Sequence, residues 1–172
     1  TPDLFLMWLE RPEGYAYKAG KYCTIGVDGI ERAYSIASAP HEEYIELFIE
    51  RISEPEGKLT PLLYKLGVGD SVTIRPRAKG VFTMDPTYRN QMLVATVTGV
   101  APYVSFIRDY LHNANEGHSF HVLEGASYFD EFVYDRELED LSQKHPNLIK
   151  FVPTISRPDE PHNSKWKGKA GR

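Results

Sequence analysis

The spacing of apolar residues changes partway along the chain, and this change constrains the fold more than any other feature. Before Asp85, short segments with alternating apolar residues are separated by turn signals, and in 44–52 Ile45 and Leu47 alternate with acidic side chains. After Asp85 the apolar runs become continuous, as in 92–97, which is typical of strands covered on both faces. The sequence therefore predicts two units of different architecture.

The first unit has the pattern of a small antiparallel barrel. Strands are predicted at 21–27, 30–36, 44–52, 71–74 and 80–84. Asp28-Gly29 lies between the first two strands and predicts a hairpin turn. A single short helix is predicted at 60–66, and Glu46 is expected on the outer face of its strand. We expect residues 1–88 to form an antiparallel Greek-key β-barrel with one capping helix.

The second unit, residues 89–172, has the pattern of a parallel α/β domain. Its predicted order is strand 92–97, turn 98–102, helix 102–111, strand 120–123, helix 135–144 and strand 148–155. An order of β-α-β-α-β requires parallel pairing and right-handed crossovers. Ligands of such sheets bind beyond the carboxyl ends of the strands. We expect the ligand to lie at 98–99, 124–127 and 154–157.

Composition excludes several classes of function. Lys and Arg number 20 and Asp and Glu 24, so the net charge is −4, which argues against a nucleic-acid partner. No apolar run reaches the roughly 20 residues that span a bilayer, so no membrane partner is expected. The single cysteine, Cys23, cannot form an internal disulfide and fits the reducing cytoplasm. His118 and His121 point to opposite faces of a strand, so no metal site is expected.

Two segments carry the side chains of a binding site. On a strand, Arg32 and Tyr34 share one face, which pairs a guanidinium suited to phosphate with a ring that can stack on a flat ligand. By local spacing alone, an edge strand with a surface arginine is an equal interpretation. Gly57 to Thr60 open the short helix, whose free amides would bind an anion. Thr60 is expected to cap this helix or to contact phosphate.

Several motifs, in order along nearly the whole chain, resemble the ferredoxin–NADP reductase family in its bacterial form. They are the flavin motif Arg-x-Tyr-Ser at 32–35, Gly-Lys-Leu-Thr at 57–60, Val-Gly-Asp at 68–70, Gly-Val-Phe at 80–82, the nicotinamide turn at 98–102 and the adenosine-phosphate segment at 153–157. The resemblance implies an FAD-binding barrel (1–88) and an NAD(P)-binding α/β domain (89–172). We expect the C-terminal part of that second domain to be missing.

The resemblance also assigns roles to individual residues. It implies that Arg32 holds the FAD pyrophosphate, that Tyr34 stacks on the isoalloxazine and that Ser35 lies near flavin N5. Tyr34 and Ser35 are therefore the expected catalytic residues. The other expected cofactor-binding residues are Ala33, Phe48, Lys58, Leu59, Thr60, Thr98, Gly99, Ala126, Ser127, Ser156, Arg157 and Arg172, of which the last three would hold the 2′-phosphate of NADP.

The activity implied by the resemblance is a flavin-dependent oxidoreductase. It would pass electrons between NADP(H) and ferredoxin or flavodoxin through FAD, with NAD as a second nucleotide. Arg75, Arg77 and Lys79 form a basic stretch that would dock an acidic carrier or be a solvated strand edge. Two alternatives stay open: a flavin-binding electron-transfer module of a larger protein or complex, with weak or altered NAD(P)H use, and a non-catalytic interaction module.

Two positions depart from the family's pattern. The nicotinamide turn of the family usually reads Gly-Thr-Gly-Thr-Gly, whereas residues 95–99 read Ala-Thr-Val-Thr-Gly. Glycines let the backbone approach a nucleotide closely, so Val97 predicts weaker or altered nucleotide binding. Ser127 stands where the bacterial pattern commonly has an arginine, which removes one candidate ligand of the 2′-phosphate.

Overall fold

The computed structural model describes residues 3–171, and its N-terminal part is built from antiparallel strands. The elements are β1 (Leu4–Glu10), β2 (Tyr22–Val27), β3 (Ile30–Ser35), β4 (Tyr44–Glu50), α1 (Thr60–Lys65) and β5 (Thr73–Ile74). Strand β1 pairs with β4, and a second sheet has the order β3-β2-β5. A bridge between Ile36 and Leu47 joins the two sheets. This arrangement confirms the predicted antiparallel barrel with one helix.

The barrel interior holds the alternating apolar residues that the sequence singled out. Ile25, Ile45 and Leu47 are fully buried, and Leu59 and Leu63 at α1 close one end of this core. Cys23 is buried among them, and burial raises the pKa of its thiol to about 12. The turn between β2 and β3 has positive φ at both central residues, 51° at Asp28 and 78° at Gly29, as a tight hairpin requires.

The C-terminal part is a four-stranded sheet in which every pairing is parallel, in the order β6-β7-β8-β9. Its elements are β6 (Asn90–Thr96), a 3₁₀ turn (Val97–Val100), α2 (Ala101–His112), β7 (Ser119–Ala126), α3 (Asp135–Lys144), β8 (Ile149–Ile155) and β9 (Lys169–Ala170). Buried residues of α2 and α3 pack on one face of the sheet. Within residues 3–171, no helix is long and apolar enough to cross a membrane.

Several local predictions were wrong. Residues 80–84 form no strand, because Gly80 takes a φ of 105° and the chain turns away after the bridge between Lys79 and Tyr22. Among the described residues, the run 92–97 is covered on one face only. Strand β6 is the first strand of the described sheet, and Met92 and Val94 are 69% and 58% exposed.

Other predictions were wrong in position or incomplete. The turn predicted at 98–102 is a 3₁₀ turn at Val97–Val100, which runs directly into α2 at Ala101. Strands β1 and β9 were not predicted as separate strands. Strand β4 ends at Glu50 rather than at Ile52.

Glu46 lies on the outer face of β4, as predicted, but it is only 7% exposed there, because an arginine from α2 covers it. Arg108 donates from Nη1 to Glu46 Oε2 at 2.8 Å and binds Glu137 of α3 through Nε and Nη2, both at 2.7 Å. Tyr134 donates to the second oxygen of Glu46 at 2.7 Å. Burial alone would lower the pKa of Arg108, but hydrogen bonds with both carboxylates outweigh it and raise the pKa.

Further contacts between the two parts are close. Ser105 of α2 is fully buried and donates to the carbonyl oxygen of Ser38 at 2.7 Å. Gly20 approaches the ring of Phe106 so tightly that a Cβ there would lie 2.3 Å from a ring carbon. The barrel and the parallel sheet therefore meet through a packed interface rather than through the connecting segment alone.

We expect Arg108→Ala to lower the free energy of unfolding by about 3 kcal/mol, because it leaves the buried Glu46 carboxylate without its cation. Urea denaturation measures this change. Arg75→Ala is the control, since Arg75 pairs with Glu31 on the surface with 61% of its side chain exposed, and such a pair contributes about 1 kcal/mol or less. Equal losses in the two variants would contradict the assigned role of Arg108.

A buried carboxyl group in β7 has no hydrogen-bond partner among the described residues. Glu124 is 0% exposed, and neither of its carboxyl oxygens is bonded. Burial, with a smaller contribution from Asp135, raises its pKa to about 8. The folded protein therefore holds a proton on this group at neutral pH, whereas the unfolded chain has released it.

Between about pH 4.5 and 8 the folded state binds one more proton than the unfolded state, so the free energy of unfolding falls as pH rises across this range. We expect Glu124→Gln to remove this slope and to stabilise the protein by roughly 3–5 kcal/mol near pH 8. Denaturation midpoints measured from pH 5 to 9 test this. Glu139→Gln on the exposed side of α3 serves as the control and is expected to keep the slope.

Candidate functional site

A groove of about 380 Å³ lies between the barrel and the start of the parallel sheet. Its walls come from β3, from β4, from the segment 52–60 and from the 3₁₀ turn after β6. The lining residues are Arg32, Ala33, Tyr34, Phe48, Ile49, Glu50, Ile52, Glu56, Gly57, Lys58, Leu59, Thr60 and Thr98. The groove thus contains most of the residues that the sequence motifs nominated in the first part of the chain.

Arg32 is exposed on β3, and its guanidinium donates to the carbonyl oxygen of Glu31 at 2.7 Å. Among the described residues it forms no ion pair, and neither does the exposed Lys58. Glu50 and Glu56 line the same groove, so its fixed charges balance. Selection of a phosphate would rest on the bidentate geometry of the guanidinium rather than on a positive field.

The two aromatic residues that line the groove, Tyr34 and Phe48, differ in how much of their rings is exposed. Tyr34 is half-buried beside Arg32, and burial raises the pKa of its hydroxyl. The ring of Phe48 is 4% exposed and packs edge to face on Tyr134, with centroids 5.7 Å apart. Tyr34 is therefore the ring with a free surface. Ser35 is exposed at the end of β3, outside the lining of the groove.

The segment before α1 is held in place by Thr60 rather than capped by it. Thr60 Oγ1 accepts a hydrogen bond from the amide of Ile52 at 2.9 Å and donates to the carbonyl oxygen of Ile52 at 3.1 Å. Of the two roles expected for Thr60, that of N-cap was wrong, because Leu59 holds that position and Thr60 is the first helical residue. A contact of Thr60 with phosphate stays a prediction. A Cβ at Gly57 would lie 1.7 Å from the oxygen of Ile52, so only glycine fits there.

The turn that follows β6 is strained at Val97. This residue has a φ of 43°, a left-handed conformation that is costly for a β-branched side chain. The backbone therefore keeps a conformation suited to glycine although the side chain is valine. Thr98 reaches the groove from this turn, and Gly99 is exposed next to it.

A second cluster lies beyond the ends of β7 and β8. Ala126 is buried and offers its carbonyl oxygen to the amide of Ser156 at 2.9 Å. Ser127 and Ser156 are half-buried, and the amide of Ser127 donates to Glu131. Arg172, expected to bind here, lies outside the described residues.

Arg157 is the exposed cation of this second cluster. Its Nη1 donates to the hydroxyl of Tyr128 at 2.8 Å, and its guanidinium lies 5.3 Å from the centre of the same ring. The Tyr128 hydroxyl in turn donates to Glu160 Oε2 at 2.7 Å. Sequence reasoning nominated Arg157 but missed Tyr128 and Glu160.

Asn163 fastens the two loops of this cluster to each other. Its side chain is 2% exposed and donates to the carbonyl oxygens of Ser127 at 2.9 Å and of Arg157 at 2.7 Å. Its Oδ1 accepts from the amide of Phe129 at 3.0 Å. No local pattern identifies this residue, because its partners lie as many as 36 positions away.

The groove and the second cluster both lie beyond the carboxyl ends of the parallel strands. Thr98, Ser127 and Arg157 follow three neighbouring parallel strands, β6, β7 and β8, which pair in register. Neighbouring strands are about 4.8 Å apart, so the edge is roughly 10 Å wide from the first loop to the third. Within residues 3–171, no three His, Cys, Asp or Glu side chains are placed to hold a metal ion.

Comparison with known proteins identifies relatives of the whole chain. The profile of the oxidoreductase NAD-binding domain family matches residues 93–172. Ferredoxin–NADP reductase B of Sorangium cellulosum (strain So ce56) is 31% identical over 99% of this chain and 70% of its own length. Flavodoxin/ferredoxin–NADP reductase of Buchnera aphidicola subsp. Schizaphis graminum (strain Sg) is 34% identical over 80% of this chain and 52% of its own length.

A solved structure matches the fold over the entire chain. It is a ferredoxin NADP+ reductase from Neisseria gonorrhoeae with bound FAD and NADP, with a TM-score of 0.83 and 25% identity, and the match covers 100% of this chain and 68% of that one. The chain spans about half to two thirds of the length of several curated relatives, 52%, 64% and 55%. The fold, the order of its motifs and these matches together show that the chain belongs to the ferredoxin–NADP reductase family.

Proposed function

We propose that this chain is the cofactor-binding part of an FAD-dependent oxidoreductase that passes electrons between NADP(H) and ferredoxin or flavodoxin. Residues 1–88 would bind FAD and residues 89–172 would bind the pyridine nucleotide. One observation carries the proposal: Arg32 and Tyr34 of β3 line a single groove with Thr98, which is far from them in sequence. The related reductase from Neisseria gonorrhoeae is described with both FAD and NADP bound, which supports the same pair of cofactors here.

The groove has the groups that a flavin dinucleotide requires. The Arg32 guanidinium, free of carboxylate partners among the described residues, would bind the pyrophosphate in a bidentate manner. Lys58, at the start of α1, offers a second cation. Tyr34 would lie flat against the isoalloxazine ring. Bound FAD would supply the chemistry, because a flavin takes two electrons from a nicotinamide and releases them singly to a carrier.

The edge of the parallel sheet would orient the nucleotide toward this groove. Thr98 would lie where the nicotinamide meets the flavin, with Gly99 next to it, and both come from the turn after β6. The adenosine end would reach the loops after β7 and β8, where Ser127, Ser156 and Arg157 lie. Ligands of parallel sheets bind at this edge in general, which supports the placement.

The electron carrier would bind through charge. Arg75, Arg77 and Lys79 are exposed on the barrel, and an acidic carrier would be steered toward them. Several relatives carry the name flavodoxin/ferredoxin–NADP reductase, which supports carriers of that kind.

The strained turn at Val97 favours a second candidate function. The family usually has glycine at this position, and a valine side chain keeps the protein backbone from coming as close to the nucleotide. The chain would then be a flavin-binding electron-transfer module with weak or altered use of NAD(P)H. The two candidates differ in one property, reduction of the bound flavin by NADPH.

We expect the protein to bind FAD and Arg32→Ala to weaken that binding by about 10- to 100-fold, because the charge-assisted contact to phosphate is worth about 1.5–3 kcal/mol. Quenching of flavin fluorescence measures the dissociation constant. Arg77→Ala is the matched control, an exposed arginine of the barrel that does not line the groove. Equal affinity of Arg32→Ala and wild type would place the pyrophosphate elsewhere, and a wild type that binds no FAD would refute the flavin proposal.

We expect Val97→Gly to be more stable than Val97→Ala by about 1 kcal/mol, the reverse of the usual order, because alanine retains the cost of a positive φ and glycine does not. Both variants lose the same packing of the valine methyl groups, so the difference isolates the backbone. Thermal or urea unfolding of the pair measures it. If NADPH reduces the bound flavin as fast in wild type as in Val97→Gly, the reductase is favoured; if reduction is much faster in Val97→Gly, the electron-transfer module is favoured.

A further inference from the structure

In the loop after β8, the acidic side chain of Glu160 forms an ion pair with Arg157. A nucleotide that binds to Arg157 would therefore meet a carboxylate at the same place. Arg157 and Glu160 approach to 3.5 Å, and the Tyr128 hydroxyl bonds to both. The side chains of Arg157 and Glu160 are 50% and 46% exposed. The cation of the cluster therefore already has a carboxylate partner that is open to solvent and able to compete with an incoming anion.

The surrounding charges reinforce this effect. Asp130 pairs with His162 at 2.9 Å, and Glu131 accepts the amides of Ser127 and Tyr128. Ser127 itself carries no charge. In the described part of this cluster, Arg157 is therefore an arginine that lies close to the carboxylates of Glu160 and Glu131. A 2′-phosphate held by Arg157 would lie close to the Glu160 carboxylate, where like charges repel.

The opposite holds for a ribose with a free 2′-hydroxyl. A carboxylate accepts a hydrogen bond from this hydroxyl, and in dinucleotide sites an acidic residue beside the ribose favours NAD, whereas an arginine favours NADP. Here the arginine and the acid stand side by side. Asn163 donates to the carbonyl oxygen of Arg157 and fixes its backbone, and the Arg157 and Glu160 side chains lie 3.5 Å apart on this loop.

We propose that Glu160 is a specificity-determining residue for the nucleotide, one that lowers the affinity for a 2′-phosphate and admits nucleotides with a free 2′-hydroxyl. This inference rests on the proposed function, because it assumes that the adenosine end of the nucleotide lies at Arg157. It deepens that function by naming the substrate class: the site takes NADH as well as NADPH. Tyr128 is a positioning residue, since its hydroxyl bonds to Arg157 and to Glu160.

The test compares the binding of 2′-phospho-AMP and 5′-AMP by titration calorimetry, which needs neither flavin nor turnover. In Glu160→Gln we expect the preference for 2′-phospho-AMP over 5′-AMP to rise by about tenfold, because one charge facing a phosphate dianion is removed. Glu160→Lys is expected to raise it further. Asp159→Asn, an exposed acid next in sequence to Glu160, is the matched control and is expected to leave the ratio unchanged.

Salt provides a second readout, since exposed charges are screened. The difference between wild type and Glu160→Gln should shrink when the titrations are repeated in 0.5 M salt, whose Debye length is about 4 Å. A merely structural role for Glu160 would change the affinities for both nucleotides together and would not respond to salt in this way. Thermal unfolding of each variant confirms that the fold is intact.

The outcomes separate this inference from the proposed function. If wild type binds both nucleotides and Glu160→Gln leaves their ratio unchanged, the role of Glu160 is refuted and the nucleotide site stands. If wild type and Arg157→Ala bind 2′-phospho-AMP equally, the adenosine end lies elsewhere, and the inference is overturned. If wild type binds neither nucleotide, the nucleotide half of the proposed function is itself refuted, and the inference is refuted with it.

Discussion

The contact of Arg108 with two carboxylates is the interaction on which the rest of the site depends. It joins Glu46 of the barrel to Glu137 of α3, and Tyr134 completes the set of hydrogen bonds. The groove has walls from both parts of the chain, so its shape requires that these parts keep one relative position. A buried ion pair is weak evidence for net stability, but the directional hydrogen bonds that Arg108 and Tyr134 donate to Glu46 specify how the two parts meet.

The turn after β6 and the loops after β7 and β8 are stabilised in different ways. At the β6 end, strain is accepted at Val97, whose positive φ lets the 3₁₀ turn run directly into α2. At the β7 and β8 ends, Asn163 satisfies three backbone groups and fixes the loops without strain. Glu124 lies beneath this edge as a buried carboxyl without a partner among the described residues. The proposed nucleotide site is therefore built from elements that cost stability as well as from elements that supply it.

Sequence patterns predicted the fold well wherever the physical cause was local. Alternating apolar residues identified β4, Asp28-Gly29 identified the hairpin, and the helix predicted at 135–144 matched α3. The patterns failed where neighbours distant in sequence decide the outcome. The apolar run that includes Met92 predicted burial on both faces, but burial depends on what covers a strand, and among the described residues no strand pairs with the free side of β6.

By itself, the sequence determined the antiparallel and parallel units and their order, because periodicity and turn chemistry are encoded within short stretches. Its motifs also nominated several of the residues that line the groove, such as Arg32 and Tyr34. Only the tertiary structure decided that Glu46 is buried against Arg108, that Val97 has a left-handed backbone, and that Arg157 is already paired. Each of these depends on a partner or a constraint from another segment of the chain. Ion pairs and strain arise when separate elements pack together, and no local pattern records them.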